Sequence, residues 1–157
     1  MKQKEMARWL KLVTLLAAAA GLFAAGFLIP SLLSRLLSGR GWKVLPLAVG
    51  FCWLTALPCF ACLWQFWGIC TRIGNDRSFC AENAAALRRI SHLLFADCVF
   101  YLLLGAAAAL AGELTIGRVL LVLTILFVGV TLTVLSAALS HLILKASVLQ
   151  QDADLTI

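Results

Sequence analysis

Long apolar stretches dominate this chain, and short polar connections separate them. The run from Val44 to Thr71 covers 28 residues without one charged side chain. A helix needs about 20 apolar residues to cross the roughly 30 Å hydrocarbon core of a bilayer, because no water there can satisfy exposed backbone groups. The pattern predicts an all-α integral membrane four-helix bundle that forms a single domain over residues 1–157. Its helices are expected at about 12–29, 44–70, 81–111 and 119–144.

The third predicted helix has a polar beginning that the others lack. Residues 81–87 are good helix formers, and they continue into the apolar stretch without a breaker. Ser78 or Cys80 is expected at the start of this helix, with Glu82 in its first turn. The helix is therefore expected to extend from the membrane into the cytoplasm.

Composition agrees with a membrane protein. Apolar residues make up 63% of the chain and charged residues only 13%, whereas a soluble domain has about a quarter charged residues. The strands of a β-barrel would show alternating apolar and polar residues, and the sequence has no such alternation. A cleaved secretory signal is the competing interpretation of the first stretch, but the stretch is longer than a usual signal core, which favours a retained helix.

Positive charges are distributed unevenly between the two sides of the predicted membrane. Nine lie in the amino-terminal arm, the central loop and the tail, and four lie in the other connections, so both termini are expected in the cytoplasm. The chain is expected to be a multi-pass protein of the inner (plasma) membrane. The net charge of +6 then reflects topology and contact with lipid headgroups, and direct nucleic-acid binding has no support. The nine are Lys2, Lys4, Arg8, Lys11, Arg72, Arg77, Arg88, Arg89 and Lys145; the four are Arg35, Arg40, Lys43 and Arg118.

An acidic residue lies inside the third apolar stretch. An ionisable group within a membrane helix is costly and indicates a function or a polar partner. Counting inward from the flanking cations places Asp97 level with Gln65 and with Ser136 and Ser140. These four residues are predicted to form an intramembrane polar layer. The layer either holds helices together by hydrogen bonds or serves ion or proton transport.

The second stretch contains a Cys-x-x-Cys sequence at Cys59 and Cys62, which is the spacing of redox and metal sites. A membrane thiol-redox enzyme would carry its cysteines near the outer surface. Val44 lies at the expected outer end of this stretch, and Cys59 follows it by 15 residues, about 22 Å along a helix. Cys59 is therefore expected in the inner half of the membrane. Packing of small apolar side chains is therefore favoured over redox chemistry.

The two histidines, His92 and His141, lie near the predicted cytoplasmic boundary. They are expected to be structural, with pH sensing as the alternative. No spacing typical of a metal site is present, and no cofactor is expected. The sequence thus favours a protein that is not an enzyme.

The stretch from Ser78 to Asn83, Ser-Phe-Cys-Ala-Glu-Asn, is followed by Leu-Arg-Arg-Ile and a membrane helix, and the chain ends in Asp-Leu-Thr-Ile after acidic residues. These features resemble a bacterial domain-of-unknown-function family, numbered twenty-nine seventy-five. Cys80 stands where that family usually has Thr. The resemblance implies four membrane helices and a gene often found beside a Cro-type helix-turn-helix regulator, and it implies no catalytic residues.

Three functional classes follow. The first is a regulatory or interaction protein whose cytoplasmic loop and tail bind a partner, for which the helix-turn-helix regulator is the candidate. The second is a small transporter or bacteriocin-immunity protein that uses the Asp97 layer. The third is a membrane thiol-redox protein. Besides the lipid bilayer and a cytoplasmic protein, a second copy of the chain is a further candidate partner, as in a homo-oligomer.

Overall fold

The computed structural model describes residues 3–28, 30–31, 34, 44–75, 78–110 and 115–154. Within these ranges the chain is helical and contains no β-strand. The helices are α1 (Gln3–Phe23, continued by a π-helical turn at Ala24–Leu28), α2 (Val44–Gly74), α3 (Ala81–Leu110) and α4 (Ile116–Asp154). The connection that carries Arg35, Arg40 and Lys43 lies outside the described residues, as do Arg77 and the last three residues.

Four helices are long and apolar enough to cross a membrane, which confirms the predicted all-α membrane class. The apolar spans are Glu5–Leu28, Cys52–Gly74, Ala81–Ala107 and Val119–Gln150. Many large apolar side chains are exposed on these helices, including Phe127 at 74% and Leu103 at 60%. Such a surface is unfavourable in water and is the surface that lipid tails cover. The orientation of the termini and the assembly into one bundle stay predictions.

The chain divides into two compact units, Met1–Gly74 and Asn75–Ile157. In the first unit α1 and α2 pack against each other in antiparallel directions. A Cβ placed on Gly74 would lie 3.2 Å from Ala7 Cβ, and one placed on Gly21 would lie 3.6 Å from the Phe60 ring. These contacts set Ala7 level with Gly74 and bring the backbones of the two helices close together.

In the second unit α3 and α4 form an antiparallel pair that is joined by two side-chain hydrogen bonds. The Ser140 hydroxyl of α4 donates to the Ala84 carbonyl of α3 at 2.8 Å. The Ser91 hydroxyl of α3 donates to the Thr133 carbonyl of α4 at 3.2 Å. Both steps, from Ala84 to Ser91 and from Thr133 to Ser140, are seven residues long, which is two helical turns. Each helix therefore donates one hydrogen bond to the other, and the two bonds together fix the register of the pair.

Small residues line the α3 side of this contact at intervals of seven. They allow the backbone of α4 to approach closely, as small residues do in membrane helix pairs. The first three are buried and the fourth is half-buried. They are Ala84, Ser91, Cys98 and Gly105.

Candidate functional site

The beginning of α3 is held by the side chain of Asn83, which is only 1% exposed. Its Nδ2 donates a hydrogen bond to the Ser78 carbonyl at 3.0 Å. The Cys80 carbonyl accepts from the backbone N–H groups of Asn83 and Ala84. Cys80 therefore takes the position just before the helix, as one of the two sequence predictions had it, while the Asn83 amide ties down the preceding loop.

The same turn of α3 is anchored to α4, because the Ala84 carbonyl accepts the Ser140 hydroxyl. The adjacent residues Asn83 and Ala84 thus make different contacts. The Asn83 side chain bonds to the loop, and the Ala84 carbonyl bonds to α4. A buried amide that makes this bond avoids the cost of desolvating an unpaired polar group. We call Ser78–Ala84, together with residues 140–154 of α4, the corner.

At the corner α4 is much longer than α3. Ser140 is level with Ala84, α3 begins only three residues before Ala84, and α4 continues for fourteen residues after Ser140. At 1.5 Å per residue, α4 projects roughly 16 Å past the beginning of α3. A shallow surface on this part of α4 is lined by His141, Leu142, Leu144, Lys145, Val148 and Leu149.

The corner exposes apolar side chains. Phe79 of the loop is 58% exposed and Leu149 of α4 is 68% exposed, and Val148 beside it is also exposed. A surface of this kind, with Lys145 exposed beside it, suits contact with another protein or with lipid.

Asp97 lies half-buried on α3. Its Oδ1 atom is shielded from solvent and has no hydrogen-bond partner among the described residues. The neighbouring residue, Cys98, packs against Gly129 of α4. Ser140 is level with Ala84, thirteen residues before Asp97, or about 20 Å along α3. Within this unit the structure therefore does not bring Ser140 and Asp97 together.

The other members of the predicted polar layer are both half-buried. Ser136 lies on α4 one turn before Ser140, and Gln65 lies on α2 in the first unit. A functional role of the layer stays a prediction.

The cysteine pair lies within the regular helix α2. Cys59 is exposed and Cys62 is half-buried, and none of the six cysteines of the chain forms a disulfide. The predicted packing role and its redox alternative both stay predictions. His92 and His141 are both exposed, and His141 belongs to the corner surface. Among the described residues no group of three His, Cys, Asp or Glu side chains is placed to hold a metal ion.

Comparison with known proteins identifies a family. A family model described as a protein of unknown function (DUF2975) covers residues 40–157. The chain belongs to the DUF2975 family. The DUF2975 match includes α2, α3, α4 and the whole corner, whereas α1 precedes it. No curated protein and no solved structure matches the chain.

Two features of the DUF2975 chain were missed by sequence reasoning. One is the projection of α4, which depends on the register between α3 and α4. The other is the interval of seven between small residues on α3, a signal that is visible in the sequence once antiparallel packing is considered.

Proposed function

We propose that this protein is a regulatory or interaction protein of the bacterial inner membrane, and that its corner binds a soluble cytoplasmic protein. The projection of α4 past α3, with exposed apolar side chains, carries this proposal. The asymmetry of positive charge favours a cytoplasmic position for the corner. The Ser78–Asn83 motif resembles that of the family, whose genes often lie beside a helix-turn-helix regulator, so this regulator is the candidate partner.

Depth in the membrane supports this assignment. Arg88 and Arg89 are exposed on α3, and the antiparallel register sets them level with about Ser136 of α4. Exposed arginines mark the edge of the hydrocarbon region, because charge within it is costly. Residues 119–136 of α4 span about 27 Å, close to the thickness of the hydrocarbon core.

The apolar span of α4 continues to Gln150, but in the proposed arrangement the level of the two arginines puts residues 137–154 outside the bilayer. Leu142, Val148 and Leu149 are exposed on this part of α4, and in the proposed arrangement lipid tails do not cover them. Exposed apolar side chains that lie near one another on a helix outside the membrane are typical of a protein contact. The Asn83 hydrogen bond holds the loop that carries Phe79 at the beginning of α3, so both parts lie at the same end of the helix pair.

We expect the gene of a Cro-type helix-turn-helix regulator beside the gene of this chain, and pull-down of its product tests the proposal. The two proteins are co-expressed, with the tag on the amino terminus of this chain so that the tail stays unmodified. We expect the wild type to retain the regulator and Leu149→Gln to lose most of it. Leu110→Gln is the matched control, because Leu110 is 92% exposed at the opposite end of α3. Equal retention by both variants, or none by the wild type, would refute the proposal.

Asp97 supports a second candidate function, a small transporter or bacteriocin-immunity protein. A carboxyl oxygen shielded within a membrane helix and without a hydrogen-bond partner among the described residues is the kind of group that ion or proton pathways use. Proton and sodium flux into proteoliposomes would test this function. Flux by the wild type that Asp97→Asn abolishes supports it, and the absence of flux in both excludes it for these ions.

A further inference from the structure

Lys11 of α1 is a cation inside an apolar span. It lies within Glu5–Leu28, is half-buried, and faces the α2 side of the helix pair. Its Nζ atom lies 5.6 Å from the centroid of the Trp67 ring of α2. This geometry is a cation–π contact, which orients the ammonium group and leaves its charge in place.

No carboxylate neutralises this charge among the described residues. Lys11 makes the contact with Trp67, and neither Lys11 nor Arg8 forms an ion pair among the described residues. The nearest acidic residue on α1, Glu5, precedes Lys11 by six residues. Arg8 is exposed one turn before Lys11 on the same helix. Two cations three residues apart on a helix lie on neighbouring positions and repel each other, so an anion between them would be favourable.

The register of α1 and α2 places further groups around these cations. Because Ala7 is level with Gly74, Lys11 is level with about Cys70 and Arg8 with about Ile73. Thr71 is exposed one turn beyond Trp67, and its hydroxyl donates to the Trp67 carbonyl at 3.0 Å. The oxygen of that hydroxyl stays available as a polar group on the same side of α2.

Tryptophans mark the depth of this cluster in the membrane. Trp9 lies next to Arg8 on α1 and is 64% exposed. Trp64 and Trp67 lie within two turns of Thr71 on α2 and are 81% and 40% exposed. Amphipathic rings of this type collect at the level of the lipid headgroups. The anion available at that level is the phosphate of a lipid headgroup.

We propose that Arg8, Lys11 and the Trp67 edge of α2 form a binding site for the headgroup phosphate of an anionic phospholipid. Lys11 and Arg8 contact the phosphate, and the Trp67 ring holds the Lys11 ammonium toward it. The acyl chains of the lipid lie along the exposed apolar side chains of α1, such as Leu12 and Leu15. An anionic headgroup is favoured over a zwitterionic one, because each cation near the membrane surface attracts its net charge.

Lipid titration of the full-length protein in detergent micelles tests the site. Phosphatidylglycerol and phosphatidylcholine are added separately, and native mass spectrometry measures the fraction of protein that carries lipid. We expect saturable binding of phosphatidylglycerol that is at least several-fold tighter than binding of phosphatidylcholine. Lys11→Gln and Arg8→Gln are each expected to weaken phosphatidylglycerol binding about five-fold.

Arg89→Gln is the matched control, because Arg89 is an exposed cation of α3 and lies outside the first unit. It is expected to bind phosphatidylglycerol as the wild type does. Lys11 is half-buried, so Lys11→Gln can impair folding. Arg8 is exposed, so Arg8→Gln is expected to fold and tests the site independently. Equal loss in Arg89→Gln would show general attraction to positive charge, and equal binding of the two lipids would remove the anionic preference. Either result overturns the site.

Inorganic phosphate in excess distinguishes a lipid site from a site for free phosphate. We expect it to leave phosphatidylglycerol binding unchanged, because the acyl chains contribute to binding. Complete displacement of the lipid would overturn the assignment to lipid.

Discussion

Gly129 of α4 packs directly against the thiol of Cys98 on α3. A Cβ on Gly129 would overlap the Cys98 Sγ atom, so the two helices approach each other as closely as a glycine permits. The contact lies seven residues along α3 from Ser91, whose hydroxyl bonds to Thr133. Backbone proximity and interhelical hydrogen bonds therefore stabilise the same antiparallel pair.

Gly129→Ala should destabilise the second unit. The added methyl group would push α3 and α4 apart at a cost of about 1–3 kcal/mol, more than the gain in helix propensity. Gly117→Ala is the control, since a Cβ placed at Gly117 of the same helix meets none of the described residues within 4 Å apart from its own helical turn. Unfolding in detergent measures both. Cys98→Ala should partly restore Gly129→Ala, and equal stability of the two glycine variants would contradict this account.

Ser140→Ala should cost about 0.5–1.5 kcal/mol, because it removes the hydrogen bond to the Ala84 carbonyl. Ser147→Ala serves as the control, since the Ser147 hydroxyl bonds only within its own helix, to the Leu144 carbonyl. The midpoints of unfolding in detergent compare the two. If both variants lose the same stability, the interhelical bond contributes nothing of its own.

Asn83→Asp should loosen the corner. The carboxyl group keeps the shape of the side chain, but a carboxylate cannot donate to the Ser78 carbonyl, and its burial is unfavourable. We expect a loss of about 1–3 kcal/mol and faster hydrogen exchange at residues 80–84. The same substitution at the exposed Asn75 should have little effect. Unchanged exchange in Asn83→Asp would show that the amide bond does not hold the loop.

Asp97→Asn should leave the stability unchanged or raise it. The Oδ1 atom accepts no hydrogen bond from the described residues, and a neutral amide is less costly in a membrane helix than a carboxylate. Unfolding midpoints in detergent check this, with Asp152→Asn at the exposed end of α4 as the control. A loss above about 1 kcal/mol would reveal a carboxylate contact that Asn cannot replace.

Reporter fusions should place both ends of the chain in the cytoplasm. The nine-to-four distribution of Lys and Arg predicts that a reporter fused after Ile157, or within residues 72–80, lies in the cytoplasm. A reporter near Gly39 should show the outside pattern. A carboxyl terminus outside the cell would contradict the assignment of the corner to the cytoplasm.

The sequence by itself determined the class of the protein. Twenty or more apolar residues in succession have only one stable arrangement in a bilayer, a helix, so the run after Val44 predicts a span without knowledge of its neighbours. The motif from Ser78 to Asn83 likewise indicated the family, because it is a local feature of the chain.

Only the tertiary structure decided which residues meet. Asp97 and Ser140 share a depth when residues are counted from flanking charges, yet Ser140 bonds to Ala84, about 20 Å from Asp97 along α3. The sequence does not contain the register between antiparallel helices, since sliding one helix by a turn keeps every apolar pattern intact. The close approach of Gly129 to Cys98 and the two serine hydrogen bonds select one register, and that register makes α4 project at the corner.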